Sequence, residues 1–182
     1  MGVDEEDDKG MGNDDLVGKV QAQAPPTKSS PIGEIFYGYL MLCANSFQPA
    51  MGYLYRALAL QQSDPLLCLL CGVASLGRST NRQVDNRNHT IMQGMALFTH
   101  YAELRGDIPE VDYNFARAYH HLNLVHLAVP RYERVLQRAS SNAPKATFNM
   151  AREAAFNLAM IFTQSGSPDL ARHLYRTWLA VE

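Results

Sequence analysis

Long apolar runs are missing from this chain. No stretch approaches the roughly 20 consecutive apolar residues that span a bilayer, so no membrane partner is expected. Cysteine is sparse: Cys43, Cys68 and Cys71 are the three in 182 residues, too few for a disulfide framework, and they point to a reducing compartment. Tryptophan occurs once, at Trp178, and beyond residue 30 Lys145 is the single lysine among 13 basic residues. The formal net charge of −2 excludes a chain that as a whole seeks polyanions or polycations. The acidic, glycine-bearing N-terminus has no apolar run, so no signal peptide is expected. A serine elbow, a glycine-rich phosphate loop and a paired set of catalytic carboxylates are all lacking, and the chain is expected to be no enzyme and to carry no cofactor.

What is present falls into two parts. Residues 1–30 hold seven acids against three lysines, with Gly10, Gly12, Gly18 and Pro25-Pro26. Like-charge repulsion and helix-breaking residues predict a disordered acidic leader there. From Pro31 onward a helical period begins, and it repeats. A small residue is followed twelve positions later by another in the pairs Gly38 and Ala50, Ala116 and Ala128, and Ala159 and Ala171. Four residues beyond each second member stands a large side chain, Leu54, Tyr132 or Tyr175, and three further come Ala57, Val135 and Trp178. A fourth copy runs from Gly72 through Gly94, Phe98 and Tyr101, with ten extra residues around Gly77 to Asn88.

Two antiparallel helices approach closely only where both carry small side chains, and a large residue one turn later fills the space beside the crossing. One such hairpin cannot bury its face alone, whereas stacked hairpins bury a continuous core. The units begin near Pro31, Pro65, Pro109 and Arg152; the first step is 34 residues, the tetratricopeptide period, and the next two are 44 and 43. The expected fold is therefore all-α: an α-α superhelix of about four hairpins over 31–182, with units near 31–64, 65–108, 109–151 and 152–182.

Local signals support these boundaries. Asp64-Pro65 and Ser167-Pro168 each place a cap residue before a proline at the first helical position, and Asp107 with Pro109 does so less tidily. Gly166 supplies a left-handed residue for the last hairpin turn. Pro130 falls past the expected start of its helix and predicts a kink or a late start. Asn88 is a candidate cap for the helix after the insertion.

Several segments resemble one family. They are Asp64-Pro65-Leu66-Leu67 through Gly72, Met92-Gln93-Gly94-Met95-Ala96-Leu97-Phe98 to Arg105-Gly106, and Tyr113-Asn114-Phe115-Ala116-Arg117-Ala118-Tyr119-His120. Leu122 to Ala128 and Ala155-Phe156-Asn157-Leu158 with Gln164-Ser165-Gly166 complete the set. These resemble the tetratricopeptide subunit of general transcription factor IIIC in a fungal version, over about Pro31 to Glu182. The likeness suggests the C-terminal part of that longer protein. It implies a nuclear scaffold among the other transcription factor IIIC subunits, serving tRNA and 5S RNA promoters and RNA polymerase III. Transcription factor IIIB components are implied as further partners, and DNA is contacted only indirectly or through its backbone.

In tetratricopeptide arrays the first helix of each unit lines a concave groove. That mapping gives Ile35, Tyr39 and Leu42 in the first unit, Leu66, Leu69 and Val73 in the second, Tyr113, Arg117 and His120 in the third, and Phe156 and Met160 in the fourth. An apolar first half and a mixed second half suit an amphipathic helix or extended peptide. Leu174, Tyr175, Trp178 and Leu179 form an apolar stripe on the last helix. With no polar capping helix after it, Trp178 is expected in an interface.

Competing readings have specific residues. A metal-dependent enzyme would be built on Cys68, Cys71, His120, His121 and His126. Adjacent histidines on a helix point about 100° apart, however, and no second cysteine pair completes a zinc site. The cysteines are expected as small core residues and the histidines as polar groove lining. A cochaperone-type peptide receptor would use Asn114 and Asn157, but it also needs a lysine and an arginine on a groove helix; Glu153 and Asn157 occupy the comparable places on the last first-type helix, and Glu153 repels a terminal carboxylate. Arg78, Arg82 and Arg87 gather in the insertion. Arg131, Arg134 and Arg138 share one helix face; they are expected to be solvated, with contact to an acidic partner or a DNA backbone as the rival.

Overall fold

Pro65 can open a helix because its missing N–H is one of the donors a first turn leaves unpaired in any case. The Asp64 carboxylate satisfies two more, accepting from the Leu66 N–H at 2.8 Å and the Leu67 N–H at 3.4 Å. A computed structural model describes residues 30–140 and 149–180. It contains α1 (Pro31–Cys43), α2 (Phe47–Leu60), α3 (Pro65–Ser79), α4 (Arg87–Arg105), α5 (Pro109–His121), α6 (Val125–Ser140), α7 (Ala151–Gln164) and α8 (Pro168–Leu174). A π-helical turn, Tyr175–Leu179, follows α8 directly. Among the described residues there is no strand. The acidic leader expected over 1–30 lies outside the described residues but for its last, Ser30.

The helices pack as consecutive hairpins: α1 on α2, α3 on α4, α5 on α6, and α7 on α8. Hairpins join because α2 also packs on α3 and α6 on α7, while the first helices of adjacent units touch, α1 with α3 and α3 with α5. That pattern of neighbour-only contacts is the arrangement of a helical solenoid. Three apolar clusters run along it. The first surrounds Leu54 and Leu67, the second Phe98, Tyr101 and Phe115, and the third Tyr132, Leu158 and Ile161.

The crossings are close where small residues allow it. A Cβ on Gly38 would stand 2.6 Å from Leu54 Cγ. Ala50, Ala116, Ala128 and Ala159 are fully buried, and Ala171 almost so. Three hairpin turns share one device. Asn45, Asn123 and Gly166 all have positive φ, at 55°, 60° and 79°. The residue after each donates its N–H five positions back, Ser46 to Met41, Leu124 to Tyr119 and Ser167 to Phe162, all at 2.8 Å. This satisfies carbonyls that a helix end would otherwise leave unpaired.

Several local expectations are corrected. Asn86, not Asn88, caps α4, accepting from the His89 N–H at 2.9 Å, because the helix starts at Arg87. Ser167 makes no side-chain cap bond. Asp107 does not cap α5 either; Ile108 holds that position and the Asp107 carboxylate turns to Arg134 and Arg138. Of the kink or late start expected at Pro130, the late start does not occur, since α6 is already helical from Val125 and Pro130 lies inside it. The insertion is smaller as a loop than its count suggests: α3 continues to Ser79 and α4 extends to 19 residues, leaving residues 80–86 between them. The π-helical turn widens the last helix by a residue. Leu174, which precedes that turn in regular α-helix, is buried, while Tyr175, expected at the crossing, is 39% exposed.

Candidate functional site

The first helices of three successive hairpins border one apolar trough of about 470 Å³. From α1 come Tyr39, Leu42 and Cys43; from α3, Leu69, Val73 and Gly77; and from α5, Asn114, Arg117 and His121. Phe47, at the start of α2, closes one wall against Gly77, where any Cβ would collide with its ring. The trough leads into a smaller polar cavity of about 280 Å³, with which it shares Arg117 and His121. His120, Tyr132 and Asn157 complete that cavity. A third cavity, of about 300 Å³, shares Asn157 and adds Tyr113, Arg152, Glu153, Phe156 and Leu179.

The polar cavity has distinct electrostatics. Arg117 is exposed and lies 6.0 Å from the Tyr113 ring centroid. Among the described residues it has no ion pair, although Arg56, Arg105, Arg131, Arg134, Arg138 and Arg172 all have one. Tyr132 is fully buried and meets His120 edge-to-face at 6.3 Å between centroids. Its enclosed hydroxyl lies near the Asn157 side chain without a well-aligned hydrogen bond, and burial pushes its pKa well up. Burial also pulls the His120 imidazole below its ordinary 6.5, with the neighbouring His121 adding to the effect.

Of the residues assigned to the groove from sequence, Tyr39, Leu42, Leu69, Val73 and Arg117 line the trough, and His120 the polar cavity. Tyr113 and Phe156 border the third cavity. Ile35 instead packs on the first core cluster. Leu66 and Met160 are exposed, at 53% and 37%, and border none of the three cavities. Sequence reasoning did not place Phe47, Leu76 and Phe98 in the trough, nor Tyr132 at the polar cavity. Phe47 is a second-helix residue, and only the glycine at position 77 signals that a ring stands over it.

On the terminal stripe, Trp178 is half-buried and packs against the third core cluster, and Leu179 reaches the third cavity. Cys68 and Cys71 are fully buried, free, and set in apolar clusters. Burial pushes the Cys71 thiol up to about 12, so neither the thiolate chemistry nor the metal ligation of an enzyme site is favoured there. Among the described residues no three His, Cys, Asp or Glu side chains gather as metal ligands, and no helix is long and apolar enough to cross a membrane. The asparagines that suggested a peptide clamp are engaged elsewhere: Asn114 donates to the Tyr101 hydroxyl at 2.9 Å and Asn157 to the Tyr113 hydroxyl at 3.3 Å.

The arginine face of α6 is neither simply solvated nor free for an outside anion. Arg131 Nη1 donates to Asp112 Oδ1 at 2.6 Å, and Asp112 is buried. Arg138 Nη2 donates to both Asp107 oxygens at 2.6 Å, and Arg134 contacts both aspartates. These pairs tie α6 to the start of α5.

Three relatives extend the argument beyond geometry. The transcription factor tau subunit sfc4 of Schizosaccharomyces pombe is 34% identical over 169 residues, covering 85% of this chain and 17% of that protein. The transcription factor tau 131 kDa subunit of Saccharomyces cerevisiae is 31% identical over 163 residues, covering 86% and 15%. The chain is a relative of the tetratricopeptide subunit of transcription factor IIIC. The human general transcription factor 3C polypeptide 3 is 27% identical over 150 residues, covering 81% of this chain and 17% of its own length. The chain thus spans about a sixth of the length of these transcription factor subunits. No family model matches it.

Proposed function

We propose that this chain is a protein-binding scaffold of the transcription factor IIIC assembly, acting in the nucleus at promoters served by RNA polymerase III. The observation that carries the reading is the coincidence of two facts. Its relatives are subunits of general transcription factors, and its first helices frame a continuous groove of about 470 Å³ with an apolar floor. Apolar grooves between stacked helices accept helices or extended segments through several anchors. Other transcription factor IIIC subunits are the proposed partners, with transcription factor IIIB components as further ones. DNA contact is indirect or through its backbone, because the α6 arginines are held by aspartates. Trp178 and Leu179, on the π-helical turn that follows α8, form the proposed second contact surface.

The test is affinity purification of the tagged chain from nuclear extract of its own organism, read by mass spectrometry. Transcription factor IIIC subunits are the expected company. Recovery of heat-shock chaperones in their place would overturn the reading in favour of a cochaperone-type receptor.

A further inference from the structure

The trough and the polar cavity share two residues, Arg117 and His121, so an apolar surface and a cationic one meet without a break. Their chemistries are different and complementary. The trough offers Leu42, Leu69 and Val73, while the cavity offers an exposed guanidinium with no ion pair among the described residues. An arginine without an ion pair beside the trough selects an acceptor that is negatively charged, and its planar fork suits a carboxylate.

Resting on the scaffold reading above, we infer that the groove takes a partner segment in which a bulky apolar side chain is followed, within about one helical turn, by an aspartate or glutamate. The apolar residue fills the trough beside Val73 and Leu69. The acidic side chain sits in the polar cavity, accepting from the exposed Arg117 guanidinium. The acid belongs to a side chain and not to a chain terminus. Beyond the polar cavity the surface continues through Asn157 into the third cavity, where Phe156 and Tyr113 receive a continuing segment and Glu153 repels a second carboxylate. The carboxylate source is thereby fixed by what lies on both sides of the cation.

The test uses the whole chain and an array of peptides amidated at their C-terminus. Each carries leucine or phenylalanine one to four residues before an aspartate or glutamate, and each has a twin with asparagine or glutamine in the acidic position. The acidic member is expected to bind about tenfold more tightly than its twin at low salt, consistent with a charge-assisted bond. Arg117→Gln removes that preference while retaining binding through the apolar residue. Equal binding of acid and amide twins overturns the inference and leaves the scaffold groove standing. No binding by either twin, with the helical content of the protein intact, overturns the groove and this inference together. Tighter binding of peptides ending in a free carboxylate would assign the cavity to a chain terminus and overturn the side-chain source.

Discussion

Phe98 occupies the space that any side chain on Gly72 would need. A Cβ at position 72 would stand 2.8 Å from Phe98 Cδ2 and 3.3 Å from the Gly94 carbonyl oxygen. The crossing of α3 and α4 therefore depends on two glycines and one ring, and neither glycine tolerates added volume without moving the helices apart. Gly72→Ala is expected to cost about 1–3 kcal/mol, the range for overpacking a core. Gly33 of α1 is the control: nothing lies within 4 Å of its Cβ position, so Gly33→Ala should stabilise by about 0.5–1 kcal/mol through helix propensity. Urea unfolding of both variants checks the pair, and equal effects would refute the close crossing.

The hairpin turns give a second expectation. Gly166 adopts a φ of 79°, which an alanine takes up only at a cost of about 1–2 kcal/mol. Gly166→Ala should lower stability by that order. Asn123→Ala should do the same, because asparagine at a φ of 60° is already the tolerated non-glycine choice.

Asp112 anchors the arginine network. It is buried, with Arg131 at 2.6 Å and Arg134 at 3.3 Å. Asp112→Asn keeps the shape and removes the charge, and should cost about 1–3 kcal/mol, since the arginines are only partly buried and regain water. Arg138 holds the Asp107 carboxyl below its usual 3.8. A depressed carboxyl contributes stability that is present above 3.8 and is lost as pH falls through its folded-state value. Acid unfolding of Asp107→Asn should accordingly be less steep in that range than that of the parent.

His120 titrates in the opposite sense from a paired histidine. Burial, then His121, holds it below 6.5, and Arg117, His121, Tyr132 and Asn157 are the groups that face it. The unfolded chain takes up the proton first, so stability falls as pH drops from 6.5 to the folded-state value. Proton NMR of the imidazole should give a midpoint under 6.5 that rises in His121→Ala. A midpoint at or above 6.5 in the parent would contradict the buried placement.

Thiol labelling separates the cysteines. Cys43 is exposed and borders the trough. Cys68 and Cys71 are buried, with the Cys71 thiol pushed up to about 12. Under native conditions Cys43 should be modified and the other two should react only on unfolding; modification of Cys71 in the folded protein would contradict the packing.

The hairpins were legible because their signal is local. Gly38 and Leu54, or Gly72 and Phe98, are joined by steps of twelve and four residues or their interrupted form, and the same pairs touch in space. The left-handed turns were half legible: Gly166 was read, yet Asn45 and Asn123, at the same offset of seven from Gly38 and Ala116, carry the identical device. What stayed hidden was non-local. The shared face of Arg131, Arg134 and Arg138 was visible, but their aspartates lie 19 to 31 residues away on another element. On the final helix the residue three after Ala171, Leu174, takes the buried place and Tyr175, four after it, is exposed, while a π-helical turn breaks the regular period beyond it. The groove was read helix by helix, so the contribution of Phe47 from a second helix was missed.

Val73 stands at the centre of the account: it is 41% exposed on α3 and faces the trough. Because it is not a core residue, Val73→Glu should leave the helical circular dichroism and the unfolding midpoint nearly unchanged. The deciding measurement is the amount of transcription factor IIIC subunits retained from nuclear extract by Val73→Glu relative to the parent chain at equal loading. Loss of most of that company is the expected result. Undiminished retention would show that the partners dock somewhere other than the groove.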